Sequence, residues 1–138
     1  MPLGEDKRYF GIDVPFMAYI GLTAVHLQDG VCQTALAWQP HLANSRGDIH
    51  GGTIMSAMDF TLSAAARADD PLGLGAITID MTTHFYRPAR TSLIIESRCT
   101  RRGGTMAFCD AEARDEAGVV VAVARGVFKL VAIAEAKP

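Results

Sequence analysis

The stretch Gly52-Thr-Ile-Met-Ser-Ala-Met-Asp59-Phe-Thr-Leu-Ser-Ala-Ala-Ala-Arg-Ala68 is rich in Ala, Met and Leu and holds no proline. That composition predicts a helix of about four to five turns. Asp69-Asp70-Pro71 follows, and the proline stops it. The flanking chain reads as strand. Upstream, Asp29-Gly30 separates Phe16–Gln28 from Val31–Trp38, and Asp-Gly between two apolar runs signals a two-residue hairpin. Downstream, Ala76–Tyr86 is ended by Arg87-Pro88, and Gly103-Gly104 divides Thr91–Arg102 from Thr105–Arg114. Asp115-Glu-Ala-Gly118 then opens the run Val119–Ala132. Ala107, Cys109, Ala111 and Ala113 alternate with Asp110, Glu112 and Arg114, the period of a strand with one dry face. Val119–Ala132 is apolar on both faces, which predicts cover by the helix on one side and by another subunit on the other. Two strands, one helix and four strands make an α+β domain. One helix covers one face of such a sheet, so dimerisation is expected to hide the rest.

Composition narrows the function. The 138 residues fit one domain, taken as 1–138, with residues 1–14 assigned no element. Lys plus Arg number 13 against 15 Asp plus Glu, so the basic excess of a nucleic-acid binder is missing. An apolar fraction of 49% excludes disorder. Cys32, Cys99 and Cys109 form no CxxC pair and read as reduced, mostly buried thiols. The first apolar stretch, Val14–Val25, comes too late for a signal peptide, and Ala117–Ala134 is cut by Arg125 and Lys129. A cytoplasmic protein with no membrane contact and a small-molecule site is expected.

The densest cluster of unusual residues is Asn44-Ser-Arg-Gly-Asp-Ile-His50-Gly51-Gly52. Two glycines at a helix start allow close approach by a ligand, and the N–H groups there can hold an oxyanion or a polarised carbonyl. The commoner meaning of an isolated Gly-Gly pair is a tight turn. Asp59 sharpens the reading. Its neighbours three and four positions away are Met55, Ser56, Leu62 and Ser63, none of them a cation. An acid among such residues is desolvated and so a stronger base once ionised, unless it sits at the helix's wet edge. Gly51 and Asp59 lie about 10–12 Å apart along one axis, too far to grip one carbonyl within a single chain. His50 can serve as acid or base with Asp48 orienting it, or can hold the turn. The four histidines make no metal motif, and no GxSxG frame is present. Arg101-Arg102-Gly103 at a hairpin tip suits phosphate only if the ligand bears a nucleotide.

The string Asn44-x5-His50-Gly51-Gly52-x6-Asp59 resembles the signature of the hotdog-fold acyl-CoA thioesterases of the phenylacetate-degradation type. The segments Thr78–Ala89 and Asp115–Ala122 are similar to the same family, and the resemblance covers roughly residues 15–132. It implies a long central helix wrapped by a six-stranded antiparallel sheet, as a homodimer that pairs again into a homotetramer. It implies hydrolysis of an acyl-CoA, aromatic or medium-chain, to the free acid and CoA. Asp59 would activate water or attack the carbonyl, Gly51 of the partner would polarise it, and Asn44 would position the nucleophile. His50 would brace the loop or touch the thioester, and Thr78 would supply a nearby hydroxyl. Gly52, Met55, Arg87, Arg101, Arg102 and Gly103 are the expected substrate contacts, with the acyl pocket drawn from Met55, Met58, Phe60 and Phe85. The family implies no metal and no bound cofactor, coenzyme A arriving as part of the substrate.

Two other functions fit the same fold. An enoyl-CoA hydratase is known by an aspartate and histidine five positions apart in one loop, whereas Asp48 and His50 are two apart. A non-catalytic acyl-CoA binding domain is the other, since folds outlive their chemistry.

Overall fold

A computed structural model describes residues 8–133, and in it the predicted helix runs Gly51–Ala66 (α2). Ile54, Ala57, Met58, Phe60, Thr61, Leu62 and Ala64–Ala66 are all buried. What stays open is a stripe at helical spacing: Gly52, Met55, Ser56, Asp59 and Ser63. Around the buried sides wrap six strands: Leu22–Gln28 (β1), Val31–Leu36 (β2), Leu74–Phe85 (β3), Leu93–Arg102 (β4), Met106–Arg114 (β5) and Val120–Ala132 (β6). They form one sheet in the order β1-β2-β4-β5-β6-β3, with every pair antiparallel. The predicted hairpin turns at Asp29-Gly30, Gly103-Gly104 and Asp115–Gly118 fall between these strands.

One predicted strand is corrected. Phe16–Gln28 is not continuous, because Pro15–Ile20 is a short helix (α1) that ends at Gly21. Pro15 suits the first helical turn, and Gly21 adopts the left-handed φ of 77° that terminates the helix. Residues 1–7 of the N-terminal segment lie outside the described residues; the remainder packs down. Tyr9 is buried, its hydroxyl donates to the Leu22 carbonyl at 2.9 Å, and its ring meets Phe60 edge-on at 5.5 Å. Phe10 stacks on the same ring. Phe60 and Met58 are both buried in the core.

A buried polar ladder fixes the helix against the sheet. The Thr61 hydroxyl lies 2.8 Å from that of Thr34 and donates to the Ala57 carbonyl, while the Ser97 hydroxyl donates to the Thr61 carbonyl. Thr61→Val keeps the shape but strands the Thr34 hydroxyl. It is expected to destabilise the fold by about 1–3 kcal/mol in denaturant unfolding. A loss below about 0.5 kcal/mol would show that the ladder contributes nothing.

β3 lies at the edge of the sheet and pairs only with β6. Thr78 lies opposite Phe128, and Asp80 lies opposite Val127, so Ile79 is an extra, unpaired residue. Phe128 is buried on the α2 side of β6, as are Ala122, Ala124 and Gly126. Their partners Thr78, Met81, Thr83 and Phe85 share that face despite the change from even to odd numbers. The other face of β6 is not uniformly apolar: Val123 and Val127 alternate with exposed Arg125 and Lys129.

Candidate active site

Asp59 projects from the open stripe of α2, and its Oδ1 accepts a hydrogen bond from the Thr78 hydroxyl at 2.8 Å. The bulge at Ile79 lets Thr78 share the helix-facing side of β3 with Met81, Thr83 and Phe85. Asp59 is part-buried, so its own chain provides only some of the desolvation expected for it. The second oxygen of this carboxylate has no partner among the described residues.

The start of α2 is built by the preceding loop. The Asn44 side-chain oxygen accepts from the Arg46 and Asp48 amides at 2.9 and 3.2 Å, an Asx-type turn. Asp48 is buried and draws in Arg90 at 3.1 Å and Arg46 at 3.5 Å. It does not reach back to orient His50, and the loop charges thus hold the loop itself. The Trp38 indole donates to the Gly47 carbonyl, and the Ile49 amide to the Ala89 carbonyl. His50 is the N-cap of α2: its Nδ1 accepts from the Gly52 amide at 2.9 Å, and its carbonyl takes the Thr53 and Ile54 amides. The Gly51 N–H points out of the helix with no acceptor among the described residues.

Gly51 is tight on one side. A Cβ there would lie 3.3 Å from the Phe85 ring, which covers it from β3. A cavity of about 310 Å³ opens beside it, lined by Asn44, Ile54, Phe85, Tyr86, Arg87 and neighbours. A larger hollow of about 690 Å³ lies on the opposite face of the sheet, among Thr82, His84, Glu96, Arg98 and Arg125. It touches neither Gly51 nor Asp59. Asn44, Gly51 and Arg87 thus share one cavity, while Asp59 and Thr78 form a separate pair farther along α2. Met55 stands exposed on the stripe between Gly52 and Asp59. Arg101, Arg102 and Gly103 sit elsewhere, at the β4–β5 turn. Arg102 is ion-paired with Asp69, just past the C-terminal end of α2, and Gly103 closes the turn onto the Met106 carbonyl. Sequence reasoning missed the Asp48–Arg90 pair, for which a loop arginine 42 positions away gave no signal. It also missed how closely Phe85 covers Gly51.

Among the described residues, no three His, Cys, Asp or Glu side chains gather as a metal site, and no helix is long and apolar enough to cross a membrane.

Comparison with known proteins places this geometry. A protein of Halobacterium salinarum designated an esterase is 27% identical over 129 residues, spanning 86% of this chain and 85% of that protein. A conserved protein of Pseudomonas aeruginosa has a solved structure with 26% identity and a TM-score of 0.79, covering 86% of this chain and 95% of its own. The PaaI protein from the phenylacetic acid degradation operon of E. coli is 20% identical with a TM-score of 0.80, covering 86% of each chain, and shows the shared fold. The model of the thioesterase superfamily matches residues 46–122. That match runs from the loop before α2 into β6, more than half of the chain, and the chain therefore belongs to the thioesterase superfamily, a thioester hydrolase on the hotdog fold.

Proposed function

We propose that the protein hydrolyses acyl-CoA thioesters, aromatic or medium-chain, to the free acid and coenzyme A, at sites shared between two copies of the chain. The Asp59–Thr78 pair on the open stripe of α2 carries this reading. Eight residues separate Asp59 from the unpaired Gly51 amide, about 12 Å along the helix. The carbon and oxygen of a carbonyl are bonded neighbours, so the two groups serve one thioester only when they come from different copies. β3 supports that assembly. It is a twelve-residue edge strand with one side unpaired and with Ile77, Ile79 and Phe85 exposed, the kind of edge that pairs with a second chain. The homodimer so formed can pair again into a homotetramer.

In this reading the Gly51 N–H of one copy polarises the thioester oxygen and stabilises the charge that develops there. Asp59 of the other copy either takes a proton from water as the water attacks the carbonyl carbon, or attacks that carbon itself. The second route gives an acyl-aspartate that water then opens. In both, the C–S bond breaks and the departing thiolate is protonated to CoA thiol. Thr78 occupies one oxygen of Asp59 and leaves the other for chemistry. Asn44 and His50, both engaged with loop amides, hold the loop that presents Gly51. Met55 and Gly52 border the thioester. Arg87, Arg101, Arg102 and the Gly103 turn are placed to meet CoA phosphates as exposed groups, Arg102 giving up Asp69 to do so. No metal and no bound cofactor takes part.

Thiol release from a panel of aromatic and straight-chain acyl-CoAs tests the reading. Turnover is expected, and the best substrate identifies the acyl pocket. Tight binding of CoA analogues with no thiol released from any member would replace it with a binding domain. Full activity from a monomer, sized by light scattering at assay concentration, would overturn the shared site. Rapid mixing in labelled water, with a search for acyl-aspartate, separates the two routes.

A further inference from the structure

Cys99 and Cys109 look unrelated in sequence, but the register of β4 on β5 sets them directly opposite one another. They are the last matched pair before the bulge at Thr100. Both face α2. Cys109 is buried, and Cys99 is part-exposed at the margin of the core. The Cys99 amide donates to the Gly30 carbonyl at 3.2 Å, on the side of β4 away from β5. In an antiparallel strand a residue's N–H and C=O point the same way, so Cys99 and Cys109 exchange no backbone hydrogen bonds. Such pairs bring their Cα atoms to about 4.5 Å, inside the range of about 4.4–6.8 Å that a disulfide spans. The thiols sense each other: burial first, then the neighbouring Cys99, pushes the Cys109 thiol up. Cys32 is a different case. It lies opposite Ser97 and Leu27 on its neighbouring strands, and burial pushes its thiol up to about 12 against the opposing pull of Arg67.

We infer that Cys99 and Cys109 are an oxidisable thiol pair that closes to a cross-strand disulfide under peroxide and reopens with a thiol reductant. Cys99, the accessible partner, attacks the peroxide O–O bond and becomes a sulfenic acid, releasing one water. The Cys109 sulfur then attacks the Cys99 sulfur. The S–O bond breaks, and the oxygen leaves as a second water carrying the Cys109 proton. Two thiols are oxidised and one hydrogen peroxide is reduced, giving one disulfide and two waters. A dithiol returns two electrons and two protons and restores both S–H groups. The bridge forms across the base of the hairpin whose tip bears Arg101 and Arg102.

The test uses the whole native chain, treated with hydrogen peroxide, quenched with an alkylating agent and digested with trypsin without reduction. Cleavage after Arg98, Arg101, Arg102 and Arg114 sends the cysteines to separate peptides, Cys99–Arg101 and Gly103–Arg114, that only a disulfide can join. The joined pair is expected as the main oxidised product, lost on treatment with dithiothreitol, while Cys32 is alkylated only after unfolding. In Cys109→Ser, dimedone is expected to trap the Cys99 sulfenic acid. The inference is overturned if oxidised wild type yields no joined pair, or if Cys32 supplies the linkage. Sulfinic acid building up on Cys99 as fast in wild type as in Cys109→Ser would sink it equally.

Discussion

Replacing Asp59 by alanine is expected to leave the fold intact and to lower kcat for thioester hydrolysis by about a thousandfold or more, the scale of losing a main catalytic group. The fold survives because Asp59 stands on the open stripe of α2, and its one side-chain hydrogen bond goes to Thr78 at the sheet edge. Alanine is also the better helix former. Circular dichroism and thiol release, measured on the same preparation, separate the two effects. Asp59→Asn keeps the shape and the contact with Thr78 but removes the charge, and it should fall nearly as far. If Asp59→Ala kept more than about a tenth of kcat, the carboxylate would have no part in the chemistry.

Gly51→Pro makes the second large prediction because it replaces the N–H by a ring carbon at a position where the helix itself accepts proline. Gly51 is the first residue after the N-cap, where a helix makes no use of the amide and proline is well tolerated. His50 already has φ −56° and ψ 133°, an extended conformation of the kind favoured before proline. Both Pro and Ala add a Cβ 3.3 Å from the tip of the Phe85 ring, a side chain that can shift. Only Pro deletes the donor. Gly51→Pro is therefore expected to lose about 10²–10³ in kcat, the cost of one oxyanion donor, with Gly51→Ala losing far less. Equal losses in the two variants would point to crowding of Phe85 and would remove the amide from the mechanism.

The helix and the hairpins were legible because their signals are local. Ala-rich spacing, Asp-Gly, Gly-Gly and Asp-Glu-Ala-Gly each act over a few residues, and the alternation in β5 reports burial directly. The features that escaped depend on what a residue meets across the fold. Six residues of α1 are too few for a helical period to show, so Phe16 to Ile20 read as part of the strand after them. The rings that Phe60 meets, Tyr9 and Phe10, come from an N-terminal segment fifty residues away in which no element shows in the sequence. Thr78 is nineteen residues from Asp59, and only family resemblance pointed to it; the contact exists because β3 runs back along α2. Cys99 and Cys109 become neighbours only once the register of two strands is known. Asp48 was within sight of His50 in the sequence, yet it turns to Arg90, forty-two positions on, which the Ile49–Ala89 hydrogen bond brings alongside the loop.

The unpaired Ile79 also works as a punctuation mark in the reading frame of β3. A strand is read two residues at a time, and one supernumerary residue shifts every later letter to the opposite page. Upstream of it the even-numbered Thr78 is read by the helix; downstream the odd-numbered Met81, Thr83 and Phe85 are. A lineage that lost this residue would keep every pairing, Thr78 with Phe128 and Asp80 with Val127, and would leave Thr78, Met81, Thr83 and Phe85 all turned to α2 on a plain, unbulged strand. Point substitutions tune this site by degrees, whereas a single codon inserted after Asp80 and drawn into the ladder would turn Thr82 and His84 to the helix and lift Phe85 off Gly51 at once.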